Sequence, residues 1–330
     1  MSPLLRGRGR SPGFAAGDQE AYCAVGGIPP LKLQGFGAAV AVILIVLTGC
    51  DRASKPEPSQ PSVAKAPTIA SLVPAATDLV RGMGAGEHLV AVSNYDQDAG
   101  GLPKVGDYQT IDWEKLAQIR PSCIVTQYGT GHNPPGFVER ARELNIKQVN
   151  VRFDRLDDVF KMISVLGDAC DESAAAAKES KEIRDALDEV HHRVEGLPPV
   201  RTIIVTGSSG MELAGTGTYL DDLLRQAGGD NAVTSHGYVT LDRESIMSLH
   251  PDAVLILMPG ADVEAAEKAR AAWNSYSDMP AVKKHHVWAF TESSVMQPGS
   301  RVAQVAQQFA DVLHPHASPA SQSATSRTSP

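Results

Sequence analysis

Aromatic residues, cysteines and positive charge are all scarce in this sequence. Only 5% of its 330 residues are aromatic, four residues are cysteine, and the formal net charge is −8. Four cysteines are too few for a disulfide scaffold, and an acidic chain is a poor match for nucleic acid. Because aromatic residues are rare, each tyrosine or tryptophan in a polar segment is more informative.

The sequence also lacks the signatures of the common enzyme classes. It contains no Walker loop and no His-Glu-x-x-His motif. The glycine cluster Gly82–Gly86 follows a predicted helix rather than a strand, and Gly207–Gly210 lacks the spacing of a nucleophile elbow. The histidine pairs at 191–192 and 285–286 are adjacent, so their side chains point apart and make poor metal ligands. We therefore predict a protein that is not an enzyme and has no cofactor or metal site of its own.

One apolar run lies near the N-terminus. Residues Phe36–Leu47 carry no charge, but the run is too short to span a bilayer comfortably as a permanent helix. With Lys32 before it and Leu47-Thr48-Gly49-Cys50 after it, the run has the layout of a secretory signal peptide. The last four residues resemble a lipobox, whose cysteine is lipidated; the alternative is a signal anchor with a chance cysteine.

The two ends of the chain are predicted to lie outside the fold. We predict a signal peptide over 1–49, and a lipidated Cys50 with a flexible stalk over 50–66. Residues 1–30 fit no part of the signal, which indicates a true start near Leu31. A Ser/Ala/Thr/Pro tail over 316–330 is predicted to be disordered. Since a lipid chain tethers a protein without spanning the bilayer, we expect a periplasmic or extracytoplasmic protein anchored to the membrane.

Between stalk and tail, short apolar runs alternate with helical patterns, as in βα units built on parallel sheets. The length and a hydrophobic content of 42% are sufficient for two domains. The predicted strands are Thr68–Val73, Leu89–Ser93, Ser122–Gln127, Gln148–Phe153, Thr202–Thr206, Glu212–Ala214, Ala253–Met258 and His286–Phe290.

A long helical segment separates the two sets of strands. Asp171–Glu195 contains an alanine run and alternating charges but no Gly or Pro, which predicts a helix of about 25 residues. We predict an N-terminal lobe over 67–170, a connecting helix over 171–196 and a C-terminal lobe over 197–315. The predicted fold class is α/β, with two Rossmann-like lobes on central parallel sheets joined by one long rigid helix. The alternative is an ordinary surface helix of one larger domain.

Two ten-residue segments, Asp112–Pro121 and Asp242–Pro251, share the pattern Asp-x-Glu-x-(Leu/Ile)-x-x-(Ile/Leu)-x-Pro. Each Asp is a good helix N-cap, Glu114 and Glu244 fall in the first turn, and each Pro ends the helix before a strand. Capping accounts for every residue of the pattern, but not for its recurrence 130 residues apart. The recurrence favours two related lobes that dock through one exposed glutamate each.

Several tyrosines lie at or just after predicted strand ends: Tyr95, Tyr108, Tyr128 and Tyr238. Aromatic side chains around a cleft suit a large flat ligand, although a single such tyrosine is more often a packed surface residue. The segment Pro74–Leu79 opens a helix after the first strand, where α/β sheets usually bind ligands. The alternative role of this segment is capping of the helix by Thr77.

A set of short segments carries a family resemblance over about residues 67–315. The segments are Ser71–Asp78, Gly84–Gly86, Leu102–Gly106, Leu116–Pro121, Gly228–Asn231 and Pro298–Arg301. Together they resemble the ABC-importer substrate-binding proteins of the rigid-helix-backbone type, a group that carries cobalamin, ferric siderophores and haem. The subgroup that the chain resembles most is the cobalamin-binding proteins.

The resemblance implies a cargo held in the cleft with little closure of the lobes. It also implies that Glu114 and Glu244 dock onto arginines of the permease. The cleft aromatics of the family correspond here to Tyr95, Tyr108, Tyr238 and the Gln127/Tyr128 pair. With Pro74 and Thr77, these residues form the predicted ligand-binding set.

The chain departs from the cobalamin pattern at four positions. Tryptophans expected at three cleft positions are Tyr or Gln, and Asp78 replaces a Glu; tyrosine also suits iron chelates or haem. We expect a monomeric lipoprotein that delivers a bulky metal chelate, foremost cobalamin, to an ABC permease and its ATPase. The alternatives are a siderophore or haem carrier, and a sensor or enzyme that reuses the fold. Cys123 and Cys170 either pair or remain buried thiols.

Overall fold

The computed structural model describes residues 66–129, 132–207 and 211–317. The described residues belong to one compact unit. The predicted signal peptide, Cys50, the stalk before residue 66 and the tail beyond residue 317 lie outside them. In the described part of the chain, no helix is long and apolar enough to cross a membrane.

Four parallel strands form a sheet in the order β2-β1-β3-β4. The strands are β1 (Ile69–Ser71), β2 (Leu89–Ala91), β3 (Cys123–Thr126) and β4 (Lys147–Asn150). The helices are α1 (Pro74–Gly82), α2 (Trp113–Ile119), α3 (Phe137–Glu143) and α4 (Leu156–Cys170). Every residue of β1 and β3 is buried, as expected for central strands of a parallel sheet with both faces covered.

Helix α5 (Ser173–Val194) lies within the segment for which a connector was predicted. Its buried residues Ile183, Leu187, Val190 and Val194 recur at helical spacing and form one apolar stripe. Gly167 of α4 lets α5 approach closely, because a Cβ there would lie 2.4 Å from the Cβ of Ala176 in the alanine run.

The second half of the fold carries a six-stranded sheet. Its strands are β5 (Val200–Val205), β6 (Glu212–Ala214), β7 (Gly229–Asn231), β8 (Tyr238–Thr240), β9 (Ala253–Leu257) and β10 (Val287–Phe290). Its helices are α6 (Tyr219–Gln226), α7 (Arg243–Ser248), α8 (Val263–Ala272), α9 (Pro280–Lys283) and α10 (Val302–Leu313).

The central strands of this sheet are parallel, as predicted, but one edge of the sheet is antiparallel. Strands β10, β9 and β5 are parallel, and β7 pairs in parallel with the start of β5. Strand β6 is antiparallel to β5, and β8 is antiparallel to β6. The link from β5 to β6 covers only residues 206–211, which is too short for the crossover that a parallel pair requires.

One hydrophobic core runs through both halves. Helix α5 packs against α4 on one side and against α6 and α10 on the other. The shared cluster includes Ile163 of α4, Leu187 of α5, Leu224 of α6 and Phe309 of α10. Separating the lobes along α5 would expose such side chains at a cost of about 2 kcal/mol each. The connector is therefore part of the core, which makes it stiff.

Candidate ligand-binding cleft

A cavity of about 760 Å³ opens between the lobes, beside the ends of the parallel strands. Its walls include Pro74, which lies just after β1, Gln127, which follows β3, and Pro259, which lies just after β9. The carboxyl ends of parallel strands are where α/β sheets usually bind ligands, because the connecting loops leave a crevice there. The cavity is therefore the candidate site.

Most of the residues predicted to bind ligand line this cavity. The predicted residues in its walls are Pro74, Thr77, Tyr95, Gln127 and Tyr238. Two predicted residues, Tyr108 and Tyr128, do not line it. Sequence reasoning missed Phe153 and Asp154, which also line the cavity. Phe153 had been placed in the predicted strand Gln148–Phe153, which in fact ends at Asn150.

Tyr128 is directed into the core of the first lobe. Its side chain is only 8% exposed, and its ring meets Phe137 edge-to-face with centroids 5.6 Å apart. Successive residues of an extended chain point to opposite sides, so Gln127 faces the cavity while Tyr128 packs under α3. Its main chain is fixed by Asn150, whose side chain pairs with both the N–H and the C=O of Tyr128.

Tyr95 and Tyr108 form a pair at the rim. Their rings are stacked, with centroids 5.7 Å apart and planes 23° apart, and both side chains are 53% exposed. Tyr95 lines the cavity and Tyr108 does not. The neighbouring Tyr108 phenol is the main cause that raises the pKa of Tyr95 above its usual value, so Tyr95 is protonated at neutral pH.

Thr77 does not cap α1, because the N-cap position is Val73 and Pro74 occupies the first turn. The Thr77 hydroxyl instead lies 3.2 Å from Oδ2 of Asp96 and 3.3 Å from the carbonyl of Val73. Asp96 also accepts the Ser93 N–H at 2.9 Å. Burial raises the pKa of Asp96, while the bonds from Ser93 and Thr77 oppose that shift. Thr77 thus links α1 to the loop that carries Tyr95.

The charged lining is predominantly acidic. Among the described residues in the walls, four carry carboxylates and two carry guanidinium groups: Asp78, Asp96, Asp98, Asp154, Arg81 and Arg301. Each guanidinium already has an acidic neighbour, at 3.4 Å for Arg301 and Asp78 and at 3.8 Å for Arg81 and Asp98. Surrounding protein, and to a lesser extent the Asp154 carboxylate, raise the pKa of Tyr238 to about 12, so this phenol is also protonated.

Asp78 joins the two lobes on one side of the cleft. Its Oδ2 accepts the Ser300 N–H and the Ser300 hydroxyl, each at 2.7 Å. A second bond to the same helix comes from the Gln297 side chain, which donates to the Pro74 carbonyl at 2.7 Å. Gly299 makes this approach possible, because a Cβ there would lie 2.3 Å from Oδ2 of Asp78.

Asp222 makes the reverse connection, to residues that directly follow Asp154 of the cavity wall. It belongs to α6 of the second lobe and accepts bonds from Nε and Nη2 of Arg155 at 2.8 and 2.6 Å. It also accepts the Leu156 N–H at 3.0 Å. Asp78 accepts from the second lobe and Asp222 accepts from the first. Together the two contacts fix the spacing of the cleft walls.

The two acidic motifs adopt the same local structure. Oδ1 of Asp112 accepts the Lys115 N–H at 3.0 Å and Oδ1 of Asp242 accepts the Ser245 N–H at 2.8 Å, so the predicted N-caps are confirmed. Glu114 and Glu244 are exposed in the first helical turns. Since α2 and α7 lead into β3 and β9, each glutamate lies on the edge of its sheet where parallel strands end.

No group of three or more His, Cys, Asp or Glu among the described residues is arranged to hold a metal ion. Cys123 and Cys170 are both buried free thiols. Burial is the main cause that raises the pKa of Cys123 to about 11 and that of Cys170 to about 12. These thiols are therefore protonated and shielded at neutral pH.

The sequence matches a known family over most of the described fold. The sequence model of the family described as "Periplasmic binding protein" matches residues 69–293. An uncharacterized ABC transporter substrate-binding lipoprotein of Bacillus subtilis is 22% identical over 313 residues, covering 86% of this chain and 98% of that protein. A vitamin B12-binding protein of Vibrio parahaemolyticus is 22% identical over 253 residues, covering 74% of this chain and 90% of that protein.

Solved structures share the fold. A periplasmic haem-binding protein of Vibrio cholerae superposes with a TM-score of 0.67 at 21% identity, covering 76% of this chain and 99% of that chain. A periplasmic vitamin B12-binding protein of the same species has a TM-score of 0.62 at 23% identity, covering 75% and 96%. The matched family consists of binding proteins that carry a ligand, in agreement with the predictions of no enzymatic activity and no cofactor.

Proposed function

We propose that this chain, which belongs to the periplasmic binding protein family, is the substrate-binding lipoprotein of an ABC importer. It captures a bulky metal chelate, foremost cobalamin, in the cleft between its lobes and delivers it to the permease. Relatives that bind vitamin B12 and haem support this class of cargo. The cavity volume of about 760 Å³ lies within the range of binding pockets for bulky organic ligands.

The charged side chains that line the cleft distinguish among these cargoes. Four carboxylates and two guanidinium groups lie in the described lining; both guanidinium groups have acidic neighbours, and Arg152 pairs with Asp154 from outside the lining. A cargo with several negative charges, such as a ferric catecholate siderophore or the two propionates of haem, would meet like charge. A corrinoid carries amide side arms and no net negative charge on its ring, so the cleft favours cobalamin.

The neutral side chains of the cleft support the same choice. Tyr95 and Tyr238 offer aromatic faces with protonated hydroxyls, and Gln97 and Gln127 offer amides. Stacking on a flat ring needs such faces, and amide side arms need donors and acceptors close to the ring. The lining provides both kinds of group.

Delivery depends on the exposed glutamates and the lipid anchor. Glu114 and Glu244 are held in first helical turns by their neighbouring N-caps, and the stiff connector keeps the two lobes at a fixed spacing. We propose that each glutamate meets basic residues on one half of the permease. Lipidation of Cys50 keeps the protein close to the permease and the ATPase, on the extracytoplasmic side of the membrane.

The proposal is tested by titrating the purified protein with cyanocobalamin, haemin and a ferric catecholate, each at low and high salt. We expect cyanocobalamin to bind most tightly and to depend least on salt, because its binding needs no ion pairing. Asp154→Asn removes one carboxylate from the lining and should strengthen haemin binding while leaving cyanocobalamin binding nearly unchanged. Haemin binding at least tenfold tighter than cyanocobalamin to the wild type would reject the choice of cargo.

A further inference from the structure

Tyr95 and Tyr108 have similar exposure but different positions relative to the cleft. Tyr95 lines the cavity, whereas Tyr108 does not. The two rings are stacked at 5.7 Å, a separation at which aromatic pairs attract one another. An exposed tyrosine is otherwise free to change rotamer, so the contact with Tyr108 restricts the ring that the cargo meets.

The residues that precede the two tyrosines are bonded to each other. Nδ2 of Asn94 donates to Oδ2 of Asp107 at 3.1 Å, and the Asn94 N–H donates to the Gly106 carbonyl at 2.7 Å. The two backbone segments that carry the rings are therefore tied immediately before each ring.

The turn that carries Tyr108 is itself fixed. Oδ1 of Asp107 accepts the N–H groups of Gln109 and Thr110 at 2.8 and 2.9 Å. Gly106 has a φ of +120°, and a Cβ there would lie 2.2 Å from the Thr110 carbonyl oxygen, so only glycine fits. These contacts make the turn a rigid support for the stacked pair.

Lys104 holds the segment of Tyr95 from another direction. Its ammonium donates to the carbonyl oxygens of Asn94 and Asp96, each at 3.0 Å. The backbone on either side of Tyr95 is thus bound through a side chain of the neighbouring segment, and the position of the ring is set before any cargo arrives.

We propose that Asp107 and Tyr108 are positioning residues that hold Tyr95 as a preformed flat wall, and that Tyr108 itself does not touch the cargo. The proposal rests on the proposed function, since it concerns the wall against which the chelate stacks. Restricting the ring in advance lowers the entropy lost on binding. Of the two stacked rings, it assigns contact with the cargo to Tyr95 alone, although Tyr108 is equally aromatic and equally exposed.

The first test needs no cargo. The full chain, purified in detergent, is labelled with 3-fluorotyrosine, and the resonance of Tyr95 is assigned from Tyr95→Phe. We expect Tyr108→Leu and Asp107→Asn to broaden that resonance, and the conservative Tyr108→Phe, which keeps the ring but removes the phenol next to Tyr95, to keep the wild-type linewidth. The matched control is Asp168→Asn near the C-terminal end of α4, which removes the charge of a carboxylate that accepts from the Ser173 hydroxyl. An unchanged Tyr95 resonance in Tyr108→Leu would overturn the proposal.

The second test uses cyanocobalamin as the probe. We expect Kd to rise about fivefold in Tyr108→Leu and in Asp107→Asn, as loss of an aromatic pair implies, with Kd restored in Tyr108→Phe. Because Tyr108 acts through Tyr95, the double variant Tyr95→Leu/Tyr108→Leu should bind no more weakly than Tyr95→Leu. Additive losses, or a Tyr108→Phe variant as weak as Tyr108→Leu, would make Tyr108 a direct contact and overturn the proposal. If the wild type binds no cyanocobalamin, the proposed cargo is rejected, and the fluorine resonance alone decides the positioning roles.

Discussion

The contact between Asp222 and the start of α4 provides a sharp test of how the lobes are held. Asp222→Asn keeps the shape of the side chain but removes its charge. The carboxylate accepts two bonds from Arg155 and one from the Leu156 N–H. The Asp222 side chain is 15% exposed, whereas Arg155 is 54% exposed.

The expected loss follows from these contacts. A hydrogen bond to a charged group contributes about 1.5–3 kcal/mol when shielded, but exposed ion pairs contribute about 0–1 kcal/mol because solvent screens them. With a shielded acceptor and a half-exposed donor, we expect a loss of about 2 kcal/mol in the free energy of unfolding. For a fold of this size that corresponds to a fall of about 4–8 °C in Tm.

The assay is thermal unfolding followed by circular dichroism at low and high salt. The control is Asp185→Asn, which removes an exposed pair with Lys181 on α5 and should change stability by less than about 0.5 kcal/mol. If Asp222→Asn melts within 1 °C of the control, the contact does not hold the lobes and the reasoning is refuted.

The other predictions concern the second lobe contact, the docking residues and the thiols. Gly299→Ala should destabilise the fold by about 1–3 kcal/mol, because the new Cβ displaces Asp78 from its donors, and thermal unfolding measures the loss. Charge reversal at Glu114 and Glu244 should abolish cargo uptake by cells and leave Kd for cyanocobalamin unchanged. In the chain that starts at Asp51, Cys123 and Cys170 should resist Ellman's reagent at pH 8 and both react once the protein is unfolded.

Each of these predictions has a control and a contrary result. Gly86→Ala introduces a Cβ with only an ordinary contact at 3.6 Å, so equal destabilisation would contradict the crowding argument. Glu189→Lys on α5 controls for charge reversal, and normal uptake in the double glutamate variant would rule out the docking role. An unfolded chain without free thiols would indicate a disulfide.

The pKa values of Cys123 and Cys170 in the folded protein exceed that of a free thiol. The free energy of unfolding should therefore fall as the pH rises past about 8.5.

Local signals in the sequence predicted the elements whose causes are local. Asp112 and Asp242 cap their helices because a short acidic side chain can accept from its own helix. Helix α8 also begins with an Asp-x-Glu pair, in which Asp262 accepts the Ala265 N–H. The pair alone is therefore a capping pattern, and only the longer motif with its apolar and proline positions distinguishes α2 and α7.

The longer motif is repeated even in the backbone. Both helices are followed by a non-glycine residue with positive φ, Arg120 at 54° and His250 at 44°, immediately before the proline. The sequence did not indicate this, because glycine or asparagine is the usual residue in that conformation. The sequence also did not predict the short strands β7 and β8, because neither has the apolar pattern of a buried strand.

The features that sequence patterns could not predict depend on contacts between distant segments. Nothing near Asp78 or Asp222 marks its partner, because both bonds join different lobes. The orientation of Tyr128 depends on where β3 ends, and a shift of one residue reverses the side on which a side chain lies. Local patterns therefore indicated five of the residues that line the cavity, but not the contacts that hold its walls in place.

The most direct test of the central claim is a calorimetric titration of cyanocobalamin into the wild type and into a Tyr95→Leu/Tyr238→Leu variant. We predict one saturable site in the wild type, with Kd below about 10 μM, and binding at least tenfold weaker in the variant at unchanged Tm. Absence of binding to the wild type, or equal affinity in the variant, would contradict the claim that the cleft between the lobes holds a corrinoid.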